Sequence, residues 1–346
     1  MGTGMTQPTK APPASEQNGL IAADIGGTNA RVAALRIDAD GGIEVFAWQR
    51  YLCADHAGLD EILRLFLSRH PEFAAIDRMV IASAGVVLAD EVINSHLPWR
   101  MSLSGLRERV QQRELHLIND LEAAAFGTAC LGPDDSQLLT PGVEAARPGP
   151  VLVIGPGTGL GAAIRIWHEG AMIVLPTEVG MTAFAPGSER EIELLRWMRQ
   201  QGHAHVATEQ LLSGPGLENI HRGLRALAGL PPEPSTPAAI SAAARAQDAI
   251  AREAVLTFCT LLGSVIGDLA VISGARSAFI AGGIVPRLID LVPESAFSER
   301  LLGKGTMRPV LEQMPVRVVL NERLGALGAA VWYRQVCARQ SAHRSR

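Results

Sequence analysis

The segment DIGGTNAR, at residues 24–31, combines residue types that can bind a phosphate group. Its turn residues are Gly26, Gly27, Thr28 and Asn29. The two glycines allow a tight turn whose N–H groups can approach an anion, and the two polar residues add donors. Asp24 offers a hard carboxylate oxygen for Mg²⁺ or its bound water. The pattern predicts a phosphate-binding turn with a metal anchor; the alternative is an ordinary glycine hairpin.

A second glycine-rich segment, GPGTGLG at residues 155–161, also lies between apolar strand candidates. It fits a loose dinucleotide-binding fingerprint, with Glu178 about 20 residues further on. That fingerprint requires the glycines to begin a helix, whereas the following AAIRIWHEGAMIVL indicates strand, turn and strand, so we reject it. Two glycine hairpins on opposite sides of one nucleotide phosphate chain fit the repeated pattern better. Two unrelated turns are the alternative.

A third glycine pair, Gly282 and Gly283, follows the short apolar strand candidate SAFI. Glycines at such a position allow a base or a ribose to lie against the backbone. The same pair is equally typical of a turn that enters a helix.

Carboxylates are the next candidates for chemistry. Asp120 follows Asn119 at the end of ELHLIND, where it could accept the proton of an attacking hydroxyl during phosphoryl transfer. Asn and Asp are also favoured helix caps, and spacing alone favours a cap before LEAAAFG. Glu178 and Glu209, on glycine-containing loops, suit pairs of sugar hydroxyls, although isolated Glu residues are usually solvated. Five histidines without ligand spacing are predicted to be surface residues: His56, His70, His203, His205 and His221.

Strand and helix patterns alternate around these motifs in two weakly similar halves, which is typical of α/β lobes. Each glycine turn is predicted to join a strand hairpin. Helices are predicted in HAGLDEILRLFLSRHP, in the long apolar AIAREAVLTFCTLLGSVIGDLAVIS and in GALGAAVWYRQV, which could cross back to the first lobe. Loops are predicted in GPDDSQLLTPGVEAARPGP and LPPEPSTPAAIS.

Composition narrows the class of protein. The chain has 346 residues and a net charge of −4, so nucleic acid is not an expected partner. With 47% hydrophobic and 4% aromatic residues, 35 Gly and 21 Pro, it resembles a turn-rich α/β protein. No apolar run is expected to reach the roughly 18 residues of a membrane span, and the opening residues lack a secretory apolar stretch, so a cytoplasmic protein is predicted. Residues 1–18 are predicted to be a disordered tail.

Taken in order, DIGGTNAR, LIND, IGPGTGLG, LPTEVG, TEQLLSGPGL, FIAGGIVPR and LGALGAA resemble the bacterial glucokinase family of the hexokinase and actin-like ATPase superfamily. The resemblance covers about residues 20 to 337. It implies a two-lobed ribonuclease H-like fold with a cleft between the lobes: a smaller lobe of residues 19–130 plus 322–346 and a larger lobe of 131–321. It also implies transfer of the ATP γ-phosphoryl group to the glucose 6-hydroxyl.

The resemblance further implies a role for each matched residue. Asp120 corresponds to the general base and Asp24 to the residue that holds Mg²⁺ through water. The sugar partners are Asn119, Asp120, Glu178, Glu209 and the position of Met181. The ATP-binding residues are Asp24, Gly26, Gly27, Thr28 and Asn29, then Gly157, Thr158 and Gly159, then Gly282 and Gly283. The expected partners are therefore a hexose, glucose first, and ATP with Mg²⁺; a homodimer stays open, and neither nucleic acid nor a membrane is expected.

One position departs from the family. Its sugar loop commonly reads Glu-x-Gly-His, whereas this chain has Glu178-Val-Gly-Met181. A thioether cannot donate the hydrogen bond of an imidazole, and losing one polar partner in a desolvated site costs about 1 to 3 kcal/mol. Two alternatives to an ordinary glucokinase follow: a kinase for another hexose, or a catalytically weak sugar-sensing or regulatory protein.

Overall fold

The computed structural model describes most of the chain in two compact units. Unit 1 comprises Met1–Cys130 and Glu322–Arg346, and unit 2 comprises Leu131–Asn321. The predicted disordered tail lies, up to residue 17, outside the described residues. The described residues are 18–38, 40–88, 90–93, 97–110, 114–143 and 149–344.

The strands are β1 (Gly19–Ile25), β2 (Asn29–Ile37), β3 (Ile43–Leu52), β4 (Arg78–Ser83), β5 (Val86–Leu88), β6 (Glu91–Ile93), β7 (Met101–Ser102), β8 (Glu114–Ile118), β9 (Ser136–Thr140), β10 (Val151–Pro156), β11 (Leu160–His168), β12 (Ala171–Thr177), β13 (Ser277–Ile280) and β14 (Val316–Val319). The α-helices are α1 (Leu59–Arg69), α2 (Leu103–Val110), α3 (Asp120–Gly127), α4 (Glu189–Gln200), α5 (Gly214–Leu227), α6 (Pro237–Arg245), α7 (Ala249–Ser273), α8 (Phe297–Leu302), α9 (Arg308–Leu311) and α10 (Leu324–Arg344).

Unit 1 is built on a mixed sheet of order β3-β2-β1-β4-β8. The hairpin β1–β2 is antiparallel, as its glycine turn predicts, while β1, β4 and β8 run parallel. Parallel neighbours place their carboxyl ends at one edge of the sheet, and open α/β sheets bind ligands outside that edge. Asp24, near the end of β1, and Asp120, just after β8, therefore lie at the same edge of unit 1.

Unit 2 repeats this strand order with one addition. Its sheet runs β12-β11-β10-β13-β14-β9, and the first five strands match the order and directions of unit 1. The hairpin β10–β11 and the strand pair β11–β12 confirm strand, turn and strand after the second glycine segment, so no helix begins at those glycines. The two glycine turns occupy equivalent places in the two sheets.

Helix α10 covers the sheet of unit 1. It packs against α3, β1, β2 and β4, and its apolar residues join a core that includes Leu20, Val80 and Ile118. The other face of the sheet packs on α1, whose helical spacing buries Ile62 and Phe66.

Helix α7 is the central helix of unit 2. It starts at the Asp248 cap, ends at Gly274 in the left-handed conformation, and buries Val255, Phe258 and Leu262. The expectation that no apolar run reaches membrane-spanning length is wrong for α7, which within the described residues is the one helix long and apolar enough. More than half of that apolar stretch is buried in the protein, as in the core helix of an α/β domain.

Two predicted loops contain regular structure. The stretch GPDDSQLLTPGVEAARPGP includes β9, which pairs antiparallel with β14 at the edge of the sheet. The proline-rich stretch 230–241 ends in α6, because Thr236 caps the helix and Pro237 occupies its first turn, where a missing N–H costs nothing. Strand β3 and the small sheet β5-β6-β7 of unit 1 also went unpredicted.

Candidate functional site

The first glycine turn joins β1 to β2 and is closed by its own backbone. The N–H of Gly26 donates to the carbonyl of Asn29 at 3.0 Å. Cys53 holds the turn from outside: its N–H donates to the carbonyl of Thr28 at 2.9 Å and its thiol to the carbonyl of Gly26 at 3.4 Å. The turn is therefore a preorganised loop of backbone amides rather than a free connection.

Asp24 lies beside this turn in a confined environment. Its side chain is only 18% exposed, and the nearest cation is Arg31 on the opposite strand, with Nη1 3.5 Å from Oδ2. Burial raises the pKa of the Asp24 carboxyl, and the guanidinium of Arg31 opposes that rise. A Cβ atom on Gly325 of α10 would lie 2.6 Å from Cγ of Asp24, so only glycine leaves room for the carboxylate.

The surroundings of Asp24 suit a Mg²⁺ ion that takes most of its ligands from phosphate groups and water. In the described part of the chain, no cluster of three or more His, Cys, Asp or Glu side chains could hold a metal ion. Mg²⁺ commonly takes one or two carboxylates from the protein and the rest of its ligands from phosphates and water. A single, mostly buried carboxylate beside a turn of backbone amides matches that arrangement.

Asn119 and Asp120 lie where β8 passes into α3. The Asn119 side-chain oxygen accepts hydrogen bonds from the N–H groups of Leu121 at 2.9 Å and Glu122 at 3.1 Å, which confirms the helix-cap interpretation for Asn119. Its amide NH₂ group remains as the donor that could reach a ligand. Asp120 is half-buried in the first helical turn, and its Oδ1 accepts from the Leu121 N–H at 2.9 Å.

The second glycine turn is anchored by two elements of unit 2. Its own hydrogen bond runs from the Gly157 N–H to the carbonyl of Gly159 at 2.8 Å. The Gly214 N–H, in the first turn of α5, donates to the carbonyl of Gly157 at 2.8 Å. Oε2 of Glu209 accepts from the N–H of Leu160 at 2.8 Å. In unit 2, the glycine turn that is predicted to bind phosphate therefore lies next to Glu209, which is predicted to bind the sugar.

Gly282 and Gly283 follow β13 and differ in their surroundings. Gly282 has φ +89°, and a Cβ atom on it would lie 2.9 Å from the carbonyl oxygen of Pro156. It therefore packs directly against the strand that leads into the second glycine turn. A Cβ atom on Gly283 would meet nothing within 4 Å, which leaves space over the backbone. Both glycines precede a single 3-10 turn at Val285–Arg287 rather than an α-helix.

Glu178 and Met181 bracket a single turn of 3-10 helix. The N–H of Met181 donates to the carbonyl of Glu178 at 3.0 Å, and both side chains are exposed, Met181 by 53%. Gly180, between them, is buried: a Cβ atom there would lie 2.4 Å from the carbonyl oxygen of Leu160 and 3.1 Å from Oε2 of Glu209. The structure thus brings the Glu178 turn, Glu209 and the second glycine turn together around Gly180.

Several residues of these sites escaped the sequence analysis. Gly325 lies in the LGALGAA motif, whose glycines three residues apart in an apolar helix were the available signal. Cys53 acts through its N–H and its thiol, and no residue pattern marks it. Gly180 is the glycine of the Glu-x-Gly loop, but that motif did not indicate its close packing on Leu160 and Glu209. His221, predicted on the surface, is buried in α5, where burial and the charge of Arg225 lower the pKa of its imidazole.

The comparisons with known proteins all find similarity to glucokinases. The family model described as Glucokinase matches residues 21–336. A glucokinase-like protein of Xylella fastidiosa (strain Temecula1) is 40% identical over 331 residues, covering 94% of this chain and 98% of its own. A glucokinase of Xanthomonas campestris pv. campestris is 35% identical over 335 residues, covering 95% and 96%. The crystal structure of a glucokinase from an Antarctic psychrotroph is similar with a TM-score of 0.78 and 32% identity, over 92% of this chain and 99% of that one.

Proposed function

The chain belongs to the glucokinase family and is a hexose kinase, with the α/β fold of the actin-like ATPases; on that premise we propose that it phosphorylates the 6-hydroxyl of glucose with ATP. The observation that carries the proposal is the pair of equivalent glycine turns, one in each sheet, together with a carboxylate at the carboxyl edge of the unit 1 strands.

We assign the phosphates of ATP to the two glycine turns. The residues are Gly26, Gly27, Thr28 and Asn29 in unit 1 and Gly157, Thr158 and Gly159 in unit 2. Gly282 and Gly283 take the adenosine side, where Gly283 leaves room for a ligand over the backbone. Asp24 holds Mg²⁺, through water. When bound, Mg²⁺ neutralises charge on the transferred phosphoryl group.

Asp120 is the proposed general base. Phosphoryl transfer needs little covalent help from the protein, so the main tasks are to orient the sugar hydroxyl and to accept its proton as the new O–P bond forms. The Leu121 N–H that binds Oδ1 fixes the carboxylate at the start of α3, and a carboxylate oxygen accepts the proton. Removal of this carboxylate should lower kcat by at least about a hundredfold.

The sugar partners are Asn119, Glu178 and Glu209, with Asp120. Glu209 already accepts one backbone hydrogen bond through Oε2, which fixes its carboxylate beside the second glycine turn. Carboxylates accept pairs of hydroxyl hydrogen bonds, so Glu178 and Glu209 suit the neighbouring hydroxyls of a hexose. The Asn119 amide, whose oxygen caps α3, contributes its NH₂ group as a donor.

Met181 supports the second candidate function. Its exposed thioether occupies the place at which the family commonly has a histidine donor. A kinase for another hexose, or a weakly active sugar-sensing protein, would follow from that loss of a polar contact.

A coupled assay with ATP tests both candidates. Purified protein is supplied with Mg²⁺ and with glucose, mannose, fructose or N-acetylglucosamine, and sugar-phosphate formation is measured. Fast turnover of glucose at millimolar or lower concentration supports glucokinase; a higher kcat/KM for another sugar reassigns the substrate. No sugar phosphate from any of the four sugars contradicts the kinase assignment.

Asp120→Asn tests whether Asp120 is the general base, and Glu122→Gln is the matched control. Both change a half-buried carboxylate of the first turn of α3 into an amide. We expect the first to lose at least about a hundredfold in kcat, in line with typical general-base contributions, and the second to keep its kcat. Equal activity of the two variants would refute the assignment of Asp120.

A further inference from the structure

We propose that His205 is a positioning residue for the turn that carries Glu178 and Met181. Its imidazole Nε2 lies 2.9 Å from the backbone carbonyl oxygen of Met181. Because a carbonyl oxygen only accepts, the imidazole donates from Nε2. The inference rests on the proposed function, in which Glu178 binds the sugar, and it adds a residue that sets the place of Glu178.

The hydrogen bond of His205 supplements a short backbone pairing. The segments 182–184 and 206–208 pair antiparallel: the Phe184 N–H donates to the carbonyl of Val206 at 2.9 Å, and the Thr208 N–H donates to the carbonyl of Thr182 at 2.8 Å. Because the pairing is antiparallel, Met181 adjoins its Thr182–Thr208 end and His205 adjoins its Phe184–Val206 end. The imidazole therefore ties the turn to the segment that leads to Glu209.

The turn is also held at its centre and at its end. Val179 and Gly180 are buried, and Thr182, which follows the turn, is hydrogen-bonded to Thr208 through backbone and side-chain atoms. The internal bonds of the turn, from Met181 N–H to Glu178 and from Thr182 N–H to Val179, define its shape but not its place relative to Glu209. The side chains of Glu178 and Met181 are exposed, so packing does not hold them. The His205 bond adds a restraint on the Met181 carbonyl, and without it we expect the spacing between the Glu178 and Glu209 carboxylates to vary more.

A change in this spacing acts on sugar binding rather than on proton transfer. Glu178 and Glu209 orient the sugar, whereas the base is Asp120 on α3. His205→Ala should therefore raise the KM for the sugar by about two- to tenfold, the value of one net hydrogen bond, with kcat changed by less than about twofold. His205→Gln keeps an N–H donor on a side chain of similar reach and should recover most of the affinity.

The experiment measures kcat and KM with the full chain and the hexose that gives the highest kcat/KM. The variants are His205→Ala, His205→Gln and the control His168→Ala, which removes an exposed histidine at the β11–β12 turn. The proposal is supported if the KM rises in His205→Ala and stays near the wild-type value in His205→Gln and His168→Ala. An unchanged KM in His205→Ala overturns it. An equal loss in His205→Ala and His205→Gln also overturns it, because the donor then plays no part.

Glu178→Gln separates this inference from the proposed function. If Glu178 binds the sugar, Glu178→Gln raises the KM, and adding His205→Ala to it has a smaller effect than in the wild type because His205 acts through that turn. An unchanged KM in Glu178→Gln contradicts the proposed sugar contact. A raised KM in Glu178→Gln with fully additive effects leaves the sugar contact standing and overturns the role of His205.

Discussion

Gly325 of α10 lies directly against the carboxylate of Asp24 on β1. A Cβ atom at residue 325 would approach Cγ, Oδ2 and Cβ of Asp24 to between 2.6 and 3.0 Å, closer than side-chain atoms pack. The carboxyl-terminal helix thus forms one wall of the proposed metal-binding position. A residue that carries no functional group decides where the Asp24 oxygens lie.

Gly325→Ala should impair ATP use without unfolding the protein. The added methyl group must displace the Asp24 side chain, and we expect kcat/KM for MgATP to fall by about tenfold or more, since a misplaced charged group in a phosphoryl-transfer site costs at least about 1.4 kcal/mol. Alanine favours a helix by up to about 1 kcal/mol over glycine, which offsets part of the cost of displacing Asp24, so the melting temperature should fall by less than in Gly328→Ala. Unchanged MgATP kinetics would show that Asp24 has no such role.

Residues 24 and 325 lie some three hundred positions apart, and this separation explains what the sequence could and could not predict. Local patterns were sufficient for the glycine hairpins and for α1, α7 and α10, because hydrophobic spacing and caps act over a few residues. The contact of Gly325 with Asp24 depends on how α10 packs on the sheet. No single-sequence pattern encodes that packing.

Short strands and helices were the other elements that the sequence analysis did not predict. Strand β9 is five residues long with an exposed Leu138, so it has no clear alternation, and only pairing with β14 makes it a strand. Helix α6 begins at a proline that also fits a loop. At the site, residue types predicted the carboxylates and glycines, whereas backbone contacts from Cys53 and Gly214 appear only in the fold.

Gly328→Ala, one turn further along α10, should destabilise the fold itself. A Cβ atom there would lie 1.6 Å from the carbonyl oxygen of Ala123 on α3, so the two helix backbones would have to separate. Overpacking of this kind typically costs about 1 to 3 kcal/mol. Urea unfolding should show a lower midpoint than in Gly325→Ala, which serves as the matched glycine on the same helix; equal midpoints would contradict close α3–α10 packing.

Glu122→Gln should make the protein more stable at neutral pH. Burial raises the pKa of the Glu122 carboxyl, and the hydrogen bond from the backbone N–H of Asn119 opposes the rise only in part. A carboxyl whose pKa is raised on folding contributes stability below its unfolded pKa of about 4.3, and this contribution is lost as pH rises through the folded pKa. Neutral Gln avoids that loss and keeps an acceptor for the Asn119 N–H.

Urea unfolding at pH 7 and near pH 4 measures this effect. The free energy of unfolding of Glu122→Gln should exceed that of the wild type at pH 7, and the difference should shrink at the lower pH. Glu108→Gln, on an exposed position of α2, is the control and should show no such trend. A larger difference at low pH than at pH 7 would have the wrong sign for a buried carboxyl.

Met181→His tests whether the exposed thioether limits sugar binding. The turn that begins at Glu178 keeps its shape through backbone hydrogen bonds, and the Met181 carbonyl also accepts one from the His205 imidazole, so the substitution changes only the side chain. An imidazole there adds a donor to the proposed sugar site, and we expect the glucose KM to fall by about fivefold or more, as one restored polar contact is worth about 1 to 3 kcal/mol. Steady-state kinetics with glucose and ATP measure it, with the exposed Met307→His as control. A glucose KM that stays at the wild-type value would place residue 181 outside the proposed sugar site.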